Sequence, residues 1–114
     1  MKVPGLADAV VPRDKIIGYL LSVTHPAGRG KAEFFRRHGF GQGDPDALVA
    51  ALLRHATDND IVVTRRSRFG TKYIVEGRLA TPDGREPLVR VVWFVTAGES
   101  TPRLVTAYPC AAGT

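Results

Sequence analysis

Leu88-Val89-Arg90-Val91-Val92-Trp93-Phe94-Val95 is the most hydrophobic run of the chain, and its β-branched and aromatic content predicts a strand. The same character recurs on both sides. Upstream lie Ile61-Val62-Val63-Thr64-Arg65-Arg66 and the partly alternating Lys72-Tyr73-Ile74-Val75-Glu76-Gly77-Arg78-Leu79; downstream lies Arg103-Leu104-Val105-Thr106-Ala107-Tyr108. Turn chemistry separates them at Phe69-Gly70, Thr81-Pro82-Asp83-Gly84-Arg85 and Gly98-Glu99-Ser100, so successive strands are expected to pair as antiparallel hairpins. Strands are predicted over about 60–68, 72–80, 87–96 and 103–108.

The half before Asp60 has helical spacing instead. Pro12 suits a first turn, and Ile16, Ile17, Leu20 and Leu21 predict one inward stripe over 13–22. Pro26 and the glycines break the chain between Ser22 and Gly30. A second helix is expected over 31–38, with Ala32 and Phe35 in the core and Gly39 closing it. Asp44 as N-cap and Pro45 in the first turn open a third over 45–57, buried through Leu48, Ala51 and Leu52. Met1 to Val11 reads as an extended lead-in that packs Leu6 and Val10 on the body. The expected fold is α+β: three short N-terminal helices packed on a four-stranded antiparallel β-meander, one domain over residues 1–114.

Composition fits that picture. The chain is 44% hydrophobic and 24% charged, ordinary globular usage that indicates neither a disordered chain nor a coiled coil. Its net charge is +5, and its cations cluster as Arg29, Lys31, Arg36 and Arg37, then Arg65, Arg66, Arg68 and Lys72, which favours an anionic partner such as nucleic acid. Cys110 is the only cysteine and lies in a small-residue tail, so no intrachain disulfide is possible. No stretch approaches the roughly 18 apolar residues of a membrane span, and no export pattern opens the chain, so a cytoplasmic protein without membrane contact is expected.

Chemistry concentrates in His25-Pro26-Ala27-Gly28-Arg29-Gly30-Lys31-Ala32-Glu33-Phe34-Phe35. Gly28, Arg29, Gly30 and Lys31 precede or open a helix, where unpaired N–H groups and the dipole favour an anion. A nucleotide-triphosphatase loop is excluded, because Ala32 replaces the required hydroxyl residue and a helix precedes the loop. His25, beside this anion-binding segment, is the proton-transfer candidate, with a solvent-exposed loop histidine as the alternative. His38 and His55 lie near helix ends and read as caps. No histidine or cysteine spacing suggests zinc, and no cofactor is expected.

Arg90 interrupts an apolar strand, so its charge must be paired or must face a cleft. Pairing with Glu76 is one reading; a bidentate grip on phosphate oxygens is the other. Thr106 and Tyr108 are expected to share a face with Leu104 and to offer hydroxyls. Trp93 is expected in the core. Phe69 and Tyr73 beside Arg68 and Lys72 are the predicted basic and aromatic contact for single-stranded nucleic acid.

Lys15 to Leu21, the His25 to Phe35 segment, Gly39-Phe40, Gly70-Thr71-Lys72-Tyr73-Ile74-Val75-Glu76-Gly77, Val91-Val92-Trp93 and Pro102 to Pro109 together carry a resemblance over nearly the whole chain. The chain resembles an uncharacterised bacterial domain family found as small free-standing proteins and as C-terminal domains of polymorphic toxins. It is more distantly similar to toxin domains of the barnase–EndoU–colicin–RelE ribonuclease superfamily. That resemblance implies a metal-independent endoribonuclease in which the substrate's 2′-hydroxyl attacks the neighbouring phosphate. His25 would act as acid or base, Lys31 and Arg90 would stabilise phosphoryl charge, and Thr106 and Tyr108 would position the phosphate. Arg66, Arg68 and Lys72 would hold the RNA backbone, and an acidic antitoxin or immunity protein would be the partner. The alternative is a non-catalytic RNA- or protein-binding module.

Overall fold

A computed structural model describes residues 1–22 and 29–110, with Arg29 described in its backbone only. Helices precede a four-stranded sheet. The helices are α1 (Arg13–Lys15), continued by a π-helical segment (Ile16–Leu20), α2 (Arg29–Arg37) and α3 (Pro45–Asp58). The strands are β1 (Ile61–Ser67), β2 (Gly70–Arg78), β3 (Leu88–Thr96) and β4 (Arg103–Pro109). They lie in the order β1-β2-β3-β4, each antiparallel to the next, which is the α+β meander expected from the turn chemistry.

One face of the sheet is dry. Val75, Val89, Val91, Trp93, Leu104 and Ala107 pack against Ile16, Leu20, Leu21, Phe35, Leu48, Leu52 and Ala56. Each fully buried large apolar side chain of this set contributes about 1.5–3 kcal/mol relative to exposure. The lead-in adds Val3 to the core, and its Val10 bridges Arg103, so it shields the edge offered by β4.

The first helix departs from the expected geometry. The amide of Leu21 donates to the carbonyl of Ile16 at 2.7 Å, a five-residue step that widens the helix there. Ile16, Leu20 and Leu21 are buried, whereas Ile17, expected on the same stripe, is 40% exposed. The π-helical step rotates the face, which 3.6-residue spacing does not anticipate. Pro45 opens α3 as expected, but the side chain of Asp44 makes no capping hydrogen bond.

Two glycines are required by close approach. Gly77 on β2 lies against the end of α3, where an added Cβ would stand 2.0 Å from Asn59 Oδ1. Gly70 has φ +150°, and a Cβ there would meet the carbonyl oxygen of Val95 at 2.2 Å.

Candidate functional site: the open face of the sheet

Directly opposed residues on neighbouring strands share a face, so the register assigns the second face of the sheet. One transverse row is Arg65, Lys72, Phe94 and Arg103, each opposite the next across all four strands. The adjacent row is Val63, Ile74, Val92 and Thr106, and beyond it stand Glu76, Arg90 and Tyr108. Arg65, Lys72 and Arg103 are exposed; Phe94, Arg90, Thr106 and Tyr108 are half-buried. None of these residues belongs to the core cluster formed with the helices.

At β4 the helical layer meets this face. Lys31 Nζ donates to the Tyr19 hydroxyl at 2.6 Å, and that hydroxyl lies 3.5 Å from Thr106 Oγ1. Lys31 and Lys15 also stand over the Tyr19 ring, at 4.9 and 5.5 Å from its centroid. The hydrogen bond from Lys31, then that with Thr106, lowers the Tyr19 pKa below the usual phenol range, against a smaller opposing effect of burial. Because Lys31 occupies an oxygen lone pair, the phenolic proton is directed elsewhere.

Thr106 and Tyr108 are alternate residues of β4, ~6.6 Å apart along the strand. Tyr108 stands opposite Arg90, which stands opposite Glu76. Arg90 Nε donates to Glu76 Oε1 at 2.8 Å and its Nη2 to the same oxygen, while Cys110 Sγ lies 3.7 Å from that atom. Hydrogen bonds to Glu76 and then Tyr108 raise the Arg90 pKa above its ordinary value. The carboxylate thus fixes the guanidinium against the sheet and shares its charge.

The structure therefore brings Lys31, Thr106, Tyr108 and Arg90 into one strip, linked by Tyr19 and ended by Glu76. His25 and Gly28 lie outside the described residues. Arg29, Gly30 and Lys31 fall in the first turn of α2, which begins two residues earlier than expected. Tyr19 was not a candidate from sequence, since it is brought to Lys31 by the π-helical step, for which spacing gives no signal. Glu76 was legible as the counter-ion of Arg90.

The expected face of Leu104 is corrected, and some candidate residues are placed apart from the strip. A register shift at the β3–β4 pair between Val92 and Trp93 places Leu104 opposite Trp93 in the core, and so off the face that carries Thr106 and Tyr108. Arg66 opposes Thr71 and lines, with Tyr73, a concavity of about 510 Å³ on the helical side, away from Lys72 and Arg90. Tyr73 packs on the core, so Phe94 is the aromatic neighbour of Lys72. Phe69 remains 66% exposed at the hairpin tip, with the Arg68 guanidinium 4.9 Å from its centroid. Trp93 is fully buried, as expected.

The two helix-end histidines are not caps. His55 Nε2 lies 2.9 Å from the carbonyl of Val89 and 3.2 Å from that of Gly77, so its N–H ties α3 to the sheet. Burial lowers its pKa, opposed by these carbonyls. His38 Nδ1 lies 3.0 Å from Asp83 Oδ2, binding the end of α2 to the β2–β3 loop.

The chain belongs to the family described as domain of unknown function DUF6883, whose profile matches residues 2–111. A solved chain from a contact-dependent growth inhibition toxin–immunity protein complex of Klebsiella pneumoniae 342 has the same fold, with TM-score 0.70 and 22% identity. The likeness covers 90% of this chain and 100% of that one. No curated protein matched in sequence. Among the described residues no helix is long and apolar enough to cross a membrane.

Proposed function

We propose that this member of the family is a toxin-like, metal-independent endoribonuclease working on the open face of the sheet. The observation that carries this is the continuity of Lys31, Tyr19, Thr106, Tyr108 and Arg90, two cations and three hydroxyls along one strip. Such a set suits a phosphodiester whose own 2′-hydroxyl is the nucleophile. The 2′-oxygen bonds to phosphorus, the bond to the 5′-oxygen breaks, and a 2′,3′-cyclic phosphate and a 5′-hydroxyl result.

In that step Arg90 and Lys31 would stabilise charge on the phosphoryl oxygens, a contribution of order 10²–10³ in rate for one charged donor. Thr106 and Tyr108 would fix the phosphate. His25 would take the 2′-hydroxyl proton, and the Tyr19 phenol, made more acidic by Lys31, would give one to the departing oxygen. Phenolate left behind would be held by Lys31 until the proton taken by His25 is returned to it through water.

The toxin setting is supported by the fold shared with a chain from a toxin–immunity complex. Net charge of +5 suits the RNA-directed side of such a pair, with an acidic immunity protein covering the open face. Induction in a bacterium should arrest growth, and Lys31→Ala should relieve the arrest; harmless high expression of soluble wild-type protein contradicts the proposal. One observation favours the second reading, a non-catalytic binding module: Glu76 already occupies Arg90. RNA binding without any cleavage product would establish it.

A further inference from the structure

Arg65 and Lys72 stand directly opposite one another on β1 and β2, and like charges in that position destabilise a sheet. Neither has an ion pair among the described residues, and nor has Arg103. The acidic residue that shares this face, Glu76, is committed to Arg90. Between Lys72 and Arg103 stands Phe94, in register with both. Its ring edge lies over Gly70, since a Cβ there would be 2.8 Å from Phe94 Cε1 and Cζ. Gly70 thus leaves room for the ring and fixes where it sits.

We infer that the row Arg65, Lys72, Phe94 and Arg103 is a platform for single-stranded RNA, with the cations holding backbone phosphates and Phe94 stacking a base. It rests on the RNA-directed part of the function proposed above. The row spans three strand spacings, ~14 Å, and lies four residues along β3 from Arg90, ~13 Å. Those dimensions suit a strand of about four nucleotides, the lower end of sites on small β-folds, crossing the sheet before it reaches Tyr108 and Arg90. A surface built for an acidic protein needs the three cations but not the ring. The ring between them is what points to a base, because every base has a face that stacks on an aromatic.

The test is binding of a labelled 2′-O-methyl oligoribonucleotide of about eight nucleotides, which lacks the attacking hydroxyl, measured by anisotropy across a salt series. Phe94→Leu should weaken binding about tenfold and Phe94→Tyr should retain it. Arg65→Gln and Lys72→Gln should each flatten the logarithmic salt slope by roughly 0.7, the increment that neutralising one phosphate of a single strand supplies. Arg54→Gln, a charge removed from α3, should leave the wild-type slope. Equal binding by wild type and Phe94→Leu overturns the platform. So does equal weakening by Phe94→Leu of binding to polyglutamate, which marks a surface for acidic protein. Should the wild type cleave no RNA while Phe94→Leu still loses the oligonucleotide, the platform stands and the ribonuclease reading fails.

Discussion

Lys31 Nζ donates to the phenolic oxygen of Tyr19 at 2.6 Å, and this hydrogen bond joins α2 to the π-helical segment beside the last strand. It makes the ammonium a local countercharge for a phenolate. One of the three tyrosines should therefore ionise below the usual phenol range, in a phenolate absorbance titration. Lys31→Met should move that transition upward and Tyr19→Phe should abolish it. Three coincident, unshifted transitions would show that the hydrogen bond has no electrostatic consequence.

Glu76 holds the Arg90 guanidinium that the proposed function assigns to the phosphate. Glu76→Gln keeps the shape, removes the charge and frees part of the guanidinium. RNA binding should tighten several-fold and its salt slope steepen, whereas Arg90→Ala should weaken binding. If Glu76→Gln weakens RNA binding instead, the carboxylate positions Arg90 and the two residues act as one fixed unit.

His55 gives a pH signature. Its folded pKa is lowered by burial from an unfolded value of about 6.5. Below that value the unfolded chain binds a proton that the folded chain refuses, so stability falls as pH drops through 6.5 toward the folded pKa. Thermal melts of wild type should decline across that window. His55→Gln, which can still donate toward the carbonyls of Gly77 and Val89, should start lower at neutral pH and decline less.

Gly77 and Asn59 approach closely at the join of helix and sheet. Gly77→Ala should cost about 1–3 kcal/mol of stability, because Asn59 must leave the position from which its Nδ2 donates to the His55 carbonyl oxygen at 2.9 Å. In denaturant titrations Asn59→Ala should recover part of that loss in the double variant, whose effect is then less than additive. Additive losses would place the strain elsewhere.

The sheet was legible because its cues are local: β-branched runs bounded by Pro-Asp-Gly and glycine turns leave little choice of pairing. Arg90 with Glu76 was readable for the same reason, since antiparallel register pairs them once the turn is placed. What escaped was whatever an inserted residue displaces. The π-helical step turned Ile17 outward and aimed Tyr19 at Lys31, and the shift in β4 separated Leu104 from Thr106. In both cases one extra residue changes the face of those on one side of it, and spacing rules assume none. Arg103 and Phe94 carry no such local signal, because their meaning comes only from register, four strands wide.

The central claim is that the strip from Lys31 to Arg90 cleaves RNA through the substrate's own 2′-hydroxyl. Its most direct test is incubation of purified protein with total RNA and tRNA in excess chelator, with the chemistry of the new ends determined. The account predicts 2′,3′-cyclic phosphate and 5′-hydroxyl ends, with rates lowered about 10²–10³-fold by Arg90→Ala and by Lys31→Ala in folded variants. Intact RNA, or cleavage that neither substitution slows, would contradict it.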